Sequence, residues 1–144
     1  DRADRGLVEA ITAYAASVQA RSGLEIEVTA PPDLHIAGRL DLQEDLFRIV
    51  SEAVHNVVKH AGASAARVSL TVDGIDLVVE VSDDGTGSAP AVEPRTGEKL
   101  GMLSMRERAE RWGAHFVAGQ RPGCTGWTVR VAVPLGGLDG ETGP

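Results

Sequence analysis

The sequence predicts an α+β fold: a two-layer α/β sandwich with three helices on one face of a mixed, mostly antiparallel sheet. Helix-period and strand-period segments follow each other as helix, strand, strand, helix, hairpin, loop, helix, hairpin. Tight turns, not long crossovers, join most of the strands, which argues against a doubly wound parallel sheet. The 144 residues are 42% hydrophobic but only 3% aromatic, so one domain-sized core must be filled by aliphatic side chains and alanine.

Residues 4–22 open the chain as a helix whose buried stripe is Leu7, Val8, Ile11, Tyr14, Ala15 and Val18, with Gly23 as its stop. Residues 24–29 alternate apolar and acidic side chains, as a half-buried strand does. Ala30-Pro31-Pro32-Asp33 breaks the chain, and residues 34–40 are assigned a short strand. Asp41, with Glu44 three positions on, forms a capping box that opens a central helix running to about Ala61 and ended by Gly62. Residues 67–72 and 75–81 alternate and are joined by Asp73-Gly74, a hairpin signal. Residues 88–99 are rich in Pro, Gly and charge and lack periodicity, so they read as a loop. After Leu100-Gly101-Met102-Leu103-Ser104, a helix covers 105–112 and stops at Gly113. Strands at 114–118 and 127–133 flank a glycine-rich turn, with Trp127, Val129, Val131 and Val133 on one side of the last strand. Residues 1–135 are read as the domain and 136–144 as a disordered tail.

The central helix carries the chemistry. Leu42, Leu46, Ile49, Ala53 and Val57 line its core side, while Glu52, Asn56 and Lys59 or His60 recur on an adjacent side. Oxygen ligands of this kind suit Mg²⁺, and the cations suit phosphate. The same stretch taken alone also fits an ordinary solvated face. Straight out of a buried strand comes Asp83-Asp84-Gly85-Thr86-Gly87. It is either a plain turn or a place where glycines admit a ligand and a carboxylate accepts a hydrogen bond from an exocyclic amine such as that of adenine. Gly101, ahead of a helix start that includes Arg106 and Arg108, offers free N–H groups and positive charge to phosphate, or is a simple loop-to-helix join.

The net charge of −7 argues against nucleic acid as the main partner. The single cysteine, Cys124, rules out an internal disulfide and fits a reducing compartment. No apolar run approaches the ~20 residues of a membrane span. The chain begins without Met inside an apparent helix, as an excised piece of something longer would.

Together and in this order, the boxes resemble a family. They are a helix carrying Glu52-x3-Asn56-x2-Lys59-His60-Ala61, then Asp83-x-Gly85-x-Gly87, then Gly101 before Met105-Arg106-Glu107-Arg108-Ala109. A glycine-rich turn and a last strand ending Val133-Pro134-Leu135 complete the set. This looks like the ATP-binding catalytic domain of bacterial sensor histidine kinases (the Bergerat, or GHKL, fold), in the superfamily of gyrase B, Hsp90 and MutL. Lys59-His60-Ala61 and the Met105–Ala109 string resemble the subgroup that phosphorylates NarL-type response regulators. The resemblance covers roughly residues 6–135.

The resemblance implies a cytoplasmic domain that binds ATP and Mg²⁺ and donates the γ-phosphate to a histidine. That histidine lies on a separate dimerisation domain of the same kinase, with a NarL-type response regulator downstream. It implies that Asn56 coordinates Mg²⁺, that Glu52 assists through metal-bound water, and that Lys59 and His60 lie near the phosphates. Asp83 reads the adenine amine, and Gly85 and Gly87 pass under the nucleotide. Residues 88–99 form the ATP lid, closed by Lys99, Gly101 and Met102 beside the nucleotide. The chain departs from the family at four places. Lys99 stands where the first lid glycine is usual, Ser104 and Cys124 stand where glycine is common, and Trp127 replaces a threonine that supports the adenine site. None of His35, His55, His60 and His115 is followed by an acidic residue, as the subgroup's phospho-acceptor is. Two alternatives remain: a serine kinase of the anti-sigma-factor type, and a nucleotide-free interaction module whose pocket Lys99 and Trp127 have degraded.

Overall fold

The computed structural model describes residues 2–32, 34, 36, 39–85, 98–120 and 126–135. Its elements are α1 (Arg2–Ser22), β1 (Glu25–Thr29), α2 (Leu40–Asn56), a π-helical turn (Val57–Ala61), β2 (Ala65–Asp73), β3 (Asp76–Asp83), α3 (Glu98–Glu110), β4 (His115–Gln120) and β5 (Trp127–Pro134). The strands form one sheet in the order β1-β2-β3-β5-β4. Only β1 and β2 run parallel; every other pair is antiparallel. The predicted α+β sandwich is therefore what forms. Among the described residues, no helix is long and apolar enough to cross a membrane.

The core lies between the sheet and the helices. Val68 and Leu70 of β2, Leu77, Val79 and Val81 of β3, and Val129, Val131 and Val133 of β5 are buried, in strict alternation with exposed or half-buried neighbours on β2 and β5. They meet Leu7, Ile11 and Val18 of α1 and Leu42, Leu46, Ile49, Val50, Ala53 and Val54 of α2. α2 is the central helix, packing on α1, α3 and β3. With few aromatic side chains available, burial of aliphatic residues supplies the stability, at ~1.5–3 kcal/mol for each large side chain. One aromatic contact reinforces α1 on α2: Tyr14 meets Phe47 edge to face at 5.7 Å, and its hydroxyl donates to the Ser51 carbonyl at 3.1 Å. Burial pushes the Tyr14 phenol above its ordinary pKa.

Several expectations are corrected. The segment 34–40 is not a strand at its described positions. Leu34 and Ile36 do reach the core, but the Ile36 carbonyl accepts from the Arg39 N–H and from Gln43 Nε2, which braces the start of α2 instead of a sheet edge. The N-cap of α2 is Arg39, with no side-chain cap bond. Asp41 sits inside the first turn, where its charge favours the helix dipole. Glu44 pairs with Arg48 one turn on, at 3.8 Å.

The hairpin turn is shifted by one residue. Asp73 pairs with Asp76, so Gly74 and Ile75 are the turn residues, with Gly74 at φ +66°. That puts glycine at the first central position, where a hairpin of this kind needs positive φ. α3 starts at Glu98, seven residues before the predicted Met105, and runs through Gly101. An interior glycine costs only ~1 kcal/mol, and the helix formers around it outweigh that. Most of the loop assigned to 88–99, the turn at 121–125 and the tail at 136–144 lie outside the described residues.

Candidate nucleotide-binding site

Glu52 and Asn56 stand one turn apart on α2, both half-buried, and Asn56 is its last residue. There the hydrogen-bond register widens. Val57–Ala61 form a π-helical turn, which ends at Gly62 in the left-handed conformation at φ +61°. π-turns inside helices concentrate at functional sites. Lys59 and His60 therefore lie on the π-helical turn, beyond the α-helical part that carries Glu52 and Asn56. Lys59 is exposed on this turn; of His60 only the backbone is described.

The end of β3 meets the end of α2 through a small second core. Val57, the residue after Asn56, packs with Leu24 and Ala66. Ala66 is in turn the cross-strand partner of Asp83. Asp83 is only 3% exposed, and its Oδ1 accepts the Gly85 N–H at 2.7 Å. This bond to the second residue on forms a local turn that orients the carboxylate. Gly85 is buried beside it.

Its neighbour Asp84 does different work. Asp84 Oδ1 accepts the N–H groups of Ser64 and Ala65 at 2.9 and 3.0 Å, and Oδ2 accepts the Ser64 hydroxyl at 2.9 Å. Asp84 N–H returns a bond to the Ala65 carbonyl. The donated bonds, led by that from Ala65, hold the carboxyl below its ordinary pKa. Asp84 thus ties the loop that follows the π-turn to the end of β3. Sequence reasoning missed this role, although Ser64 just before a strand and a second aspartate beside Asp83 were its signal.

The remaining predicted residues are placed differently. Lys99 and Gly101 belong to the first turns of α3 and do not precede a helix, which removes Gly101 as the glycine ahead of a helix start. Met102 is half-buried and packs on the main core. Gly87 lies outside the described residues.

α3 itself is held to α2 by a group that the sequence reading also missed. Asp45 is 5% exposed and accepts from Arg108 at 3.1 Å, from Arg111 at 3.1 Å and from the Trp112 indole N–H at 2.7 Å. The available signal was periodicity. Asp45 falls on the apolar stripe, three residues from Leu42 and four from Ile49, and a buried carboxylate there must find cations. Arg106 adds a cation–π contact to Phe116 of β4, at 5.1 Å.

A cleft of about 570 Å³ opens at this end of the sheet, with Gln19, Glu25, Glu27, Arg67, Asp84 and Asp83 itself in its wall. It does not touch Glu52 or Asn56, and its acidic lining is unsuited to phosphate.

Residues 41–137 match the model of the histidine kinase-, DNA gyrase B-, and HSP90-like ATPase family. Over 136 residues the chain is 38% identical to the sensor histidine kinase YhcY of Bacillus subtilis, covering 92% of this chain and 33% of that protein. It is 34% identical over 132 residues to the sensor histidine kinase NarS of Mycobacterium tuberculosis, covering 90% and 30%. The fold matches the histidine kinase domain of the blue-light activated kinase EL346 of Erythrobacter litoralis, with a TM-score of 0.71 and 22% identity over 90% of this chain and 61% of that one. The chain belongs to the histidine kinase-, DNA gyrase B-, and HSP90-like ATPase family. It spans about a third of the length of these curated relatives.

Proposed function

We propose that the chain binds ATP with Mg²⁺ at the corner where α2 ends and β3 ends. From there it presents the γ-phosphate to a histidine on a separate dimerisation domain of the same kinase. A NarL-type response regulator then takes the phosphate, and the whole operates in the cytoplasm. The observation that supports the reading is that the end of α2, where Asn56 lies, packs through the next residue, Val57, with Ala66, the cross-strand partner of the buried Asp83.

In this proposal Asp83 accepts from the adenine amine, and Gly85 and Gly87 let the backbone approach the base. Asn56 and Glu52 supply oxygens on the phosphate side. Lys59 adds positive charge there, with His60, and Lys99, Gly101 and Met102 border the nucleotide from α3. Among the described residues there is no cluster of three or more His, Cys, Asp or Glu that would cage a metal unaided. That donor set fits Mg²⁺, which is held by one or two protein oxygens together with substrate phosphates. When bound, the ion neutralises charge on the phosphates. The chain's own contribution to transfer is positioning: the acceptor imidazole attacks the γ-phosphorus as the bond to the β-bridging oxygen breaks and ADP leaves.

Calorimetry tests the reading. ATP·Mg²⁺ is expected to give saturable heat, and no heat at millimolar nucleotide would favour the interaction-module alternative. Incubation of this chain alone with labelled ATP is expected to yield no phosphohistidine, because no histidine precedes an acidic residue. A labelled histidine would refute the separate acceptor. Asn56→Ala is expected to weaken Mg²⁺-dependent binding by ~1–3 kcal/mol, the value of one charge-assisted contact. Unchanged affinity would remove Asn56 from the site.

A further inference from the structure

Among the described residues, one buried side-chain polar atom has no hydrogen-bond partner: Nε1 of Trp127. An indole N–H can only donate, and leaving such a donor unpaired in the interior costs ~1–3 kcal/mol. A lone orphan of this kind calls for an explanation, and a ligand that supplies an acceptor is one.

Its position narrows the ligand. Trp127 is the first residue of β5 and shares the inward side with Val129, Val131 and Val133. The β3–β5 ladder pairs Val81 with Val129 and Ser82 with Thr128. One step further along the same register, Asp83 and Trp127 stand opposite each other, both on the side facing the helices. Side chains opposite each other on neighbouring strands start within about 5 Å. An acceptor-only carboxylate and a donor-only indole therefore leave the sheet side by side. Trp127 as a whole is half-buried.

Adenine offers the complementary pair on adjacent atoms of one edge: the N6 amine donates and the ring nitrogen N1 accepts. Guanine offers the reverse, with O6 accepting and N1–H donating. We propose that Trp127 is a specificity-determining residue, whose indole N–H donates to N1 of the purine while Asp83 accepts from N6. Two residues on neighbouring strands then read the base, and a guanine nucleotide meets donor against donor and acceptor against acceptor. The inference rests on the nucleotide reading above and adds to it the group that recognises the ring nitrogen.

The test compares ATP, 1-deaza-ATP (in which a C–H replaces N1) and 7-deaza-ATP by calorimetry on the native chain and on Trp127→Phe. The native chain is expected to bind ATP at least about tenfold tighter than 1-deaza-ATP, for loss of one buried hydrogen bond. In Trp127→Phe that ratio is expected to fall to about twofold or less, with 7-deaza-ATP matching ATP in both proteins. A readout on the native chain alone does not depend on the variant folding. With ¹⁵N-labelled tryptophan, the Trp127 indole N–H resonance is expected to move downfield with ATP and not with 1-deaza-ATP. Native chain that binds ATP and 1-deaza-ATP equally, a ratio that survives Trp127→Phe, or an indole resonance indifferent to N1 would each overturn the role of Trp127 while leaving nucleotide binding intact. Absence of any ATP binding would instead overturn the nucleotide reading on which the inference stands.

Discussion

Asp45→Ala is expected to destabilise the domain by ~3 kcal/mol, the lower end of the range for breaking a buried ion pair. The Asp45 side chain is 8% exposed, and its carboxylate is the shared acceptor for Arg108, Arg111 and the Trp112 indole. Removing it leaves the indole N–H without its acceptor and two guanidiniums without their anion. The loss stays at the low end because the Arg108 and Arg111 side chains are 29% and 59% exposed, so water can take over part of their solvation. For a domain of this size the melting temperature should drop by ~10 °C. Asp45→Asn keeps one acceptor oxygen and should cost less. A thermal melt of Asp45→Ala within about 2 °C of the native protein would show that α3 is held to α2 by apolar packing alone.

Asp83→Asn is expected to lower ATP affinity by about 10- to 100-fold, the worth of a hydrogen bond to a charged acceptor. It should lower the preference for ATP over GTP by tenfold or more. The asparagine oxygen can still accept the Gly85 N–H, so the local turn survives. The amide then offers N–H groups where the carboxylate accepted, which opposes the amine of adenine and suits the O6 of guanine. Competition titrations with ATP and GTP read the change directly. Selectivity equal to that of the native protein would move base recognition away from the end of β3.

The two sites differ in how they could be read from the sequence. Glu52 and Asn56 are four residues apart in an amphipathic helix, and that helix holds to Asn56, so their shared face follows from local geometry. Asp83 follows a run of apolar strand residues, so its place at a strand end was equally legible. Lys59 and His60 were placed with the same spacing, whereas the backbone carries them on a π-helical turn that begins at Val57. Nothing in Val57-Val58-Lys59-His60-Ala61 announces a π-turn. The start of α3 was misplaced because Gly101 was treated as a boundary, whereas in the fold it is an interior residue of a helix packed against α2 and β4. Asp45 sat in plain view on the apolar stripe. What satisfies it comes from more than sixty positions away, and no local rule names Arg108, Arg111 and Trp112 as its partners.

The sequence by itself determined most of the order and type of the elements (the segment at 34–40 and the π-turn excepted), the aliphatic core and the polar face of the central helix. These depend on the period of side chains along a few turns or a few strand residues. The tertiary structure alone decided which ends meet. Val57 packs with Ala66, Ala66 pairs with Asp83, and the β3–β5 register, which pairs Ser82 with Thr128, brings the start of β5 beside the end of β3. Those contacts join residues distant in the chain, and they exist only once burying the common core has brought the helix and three strands together.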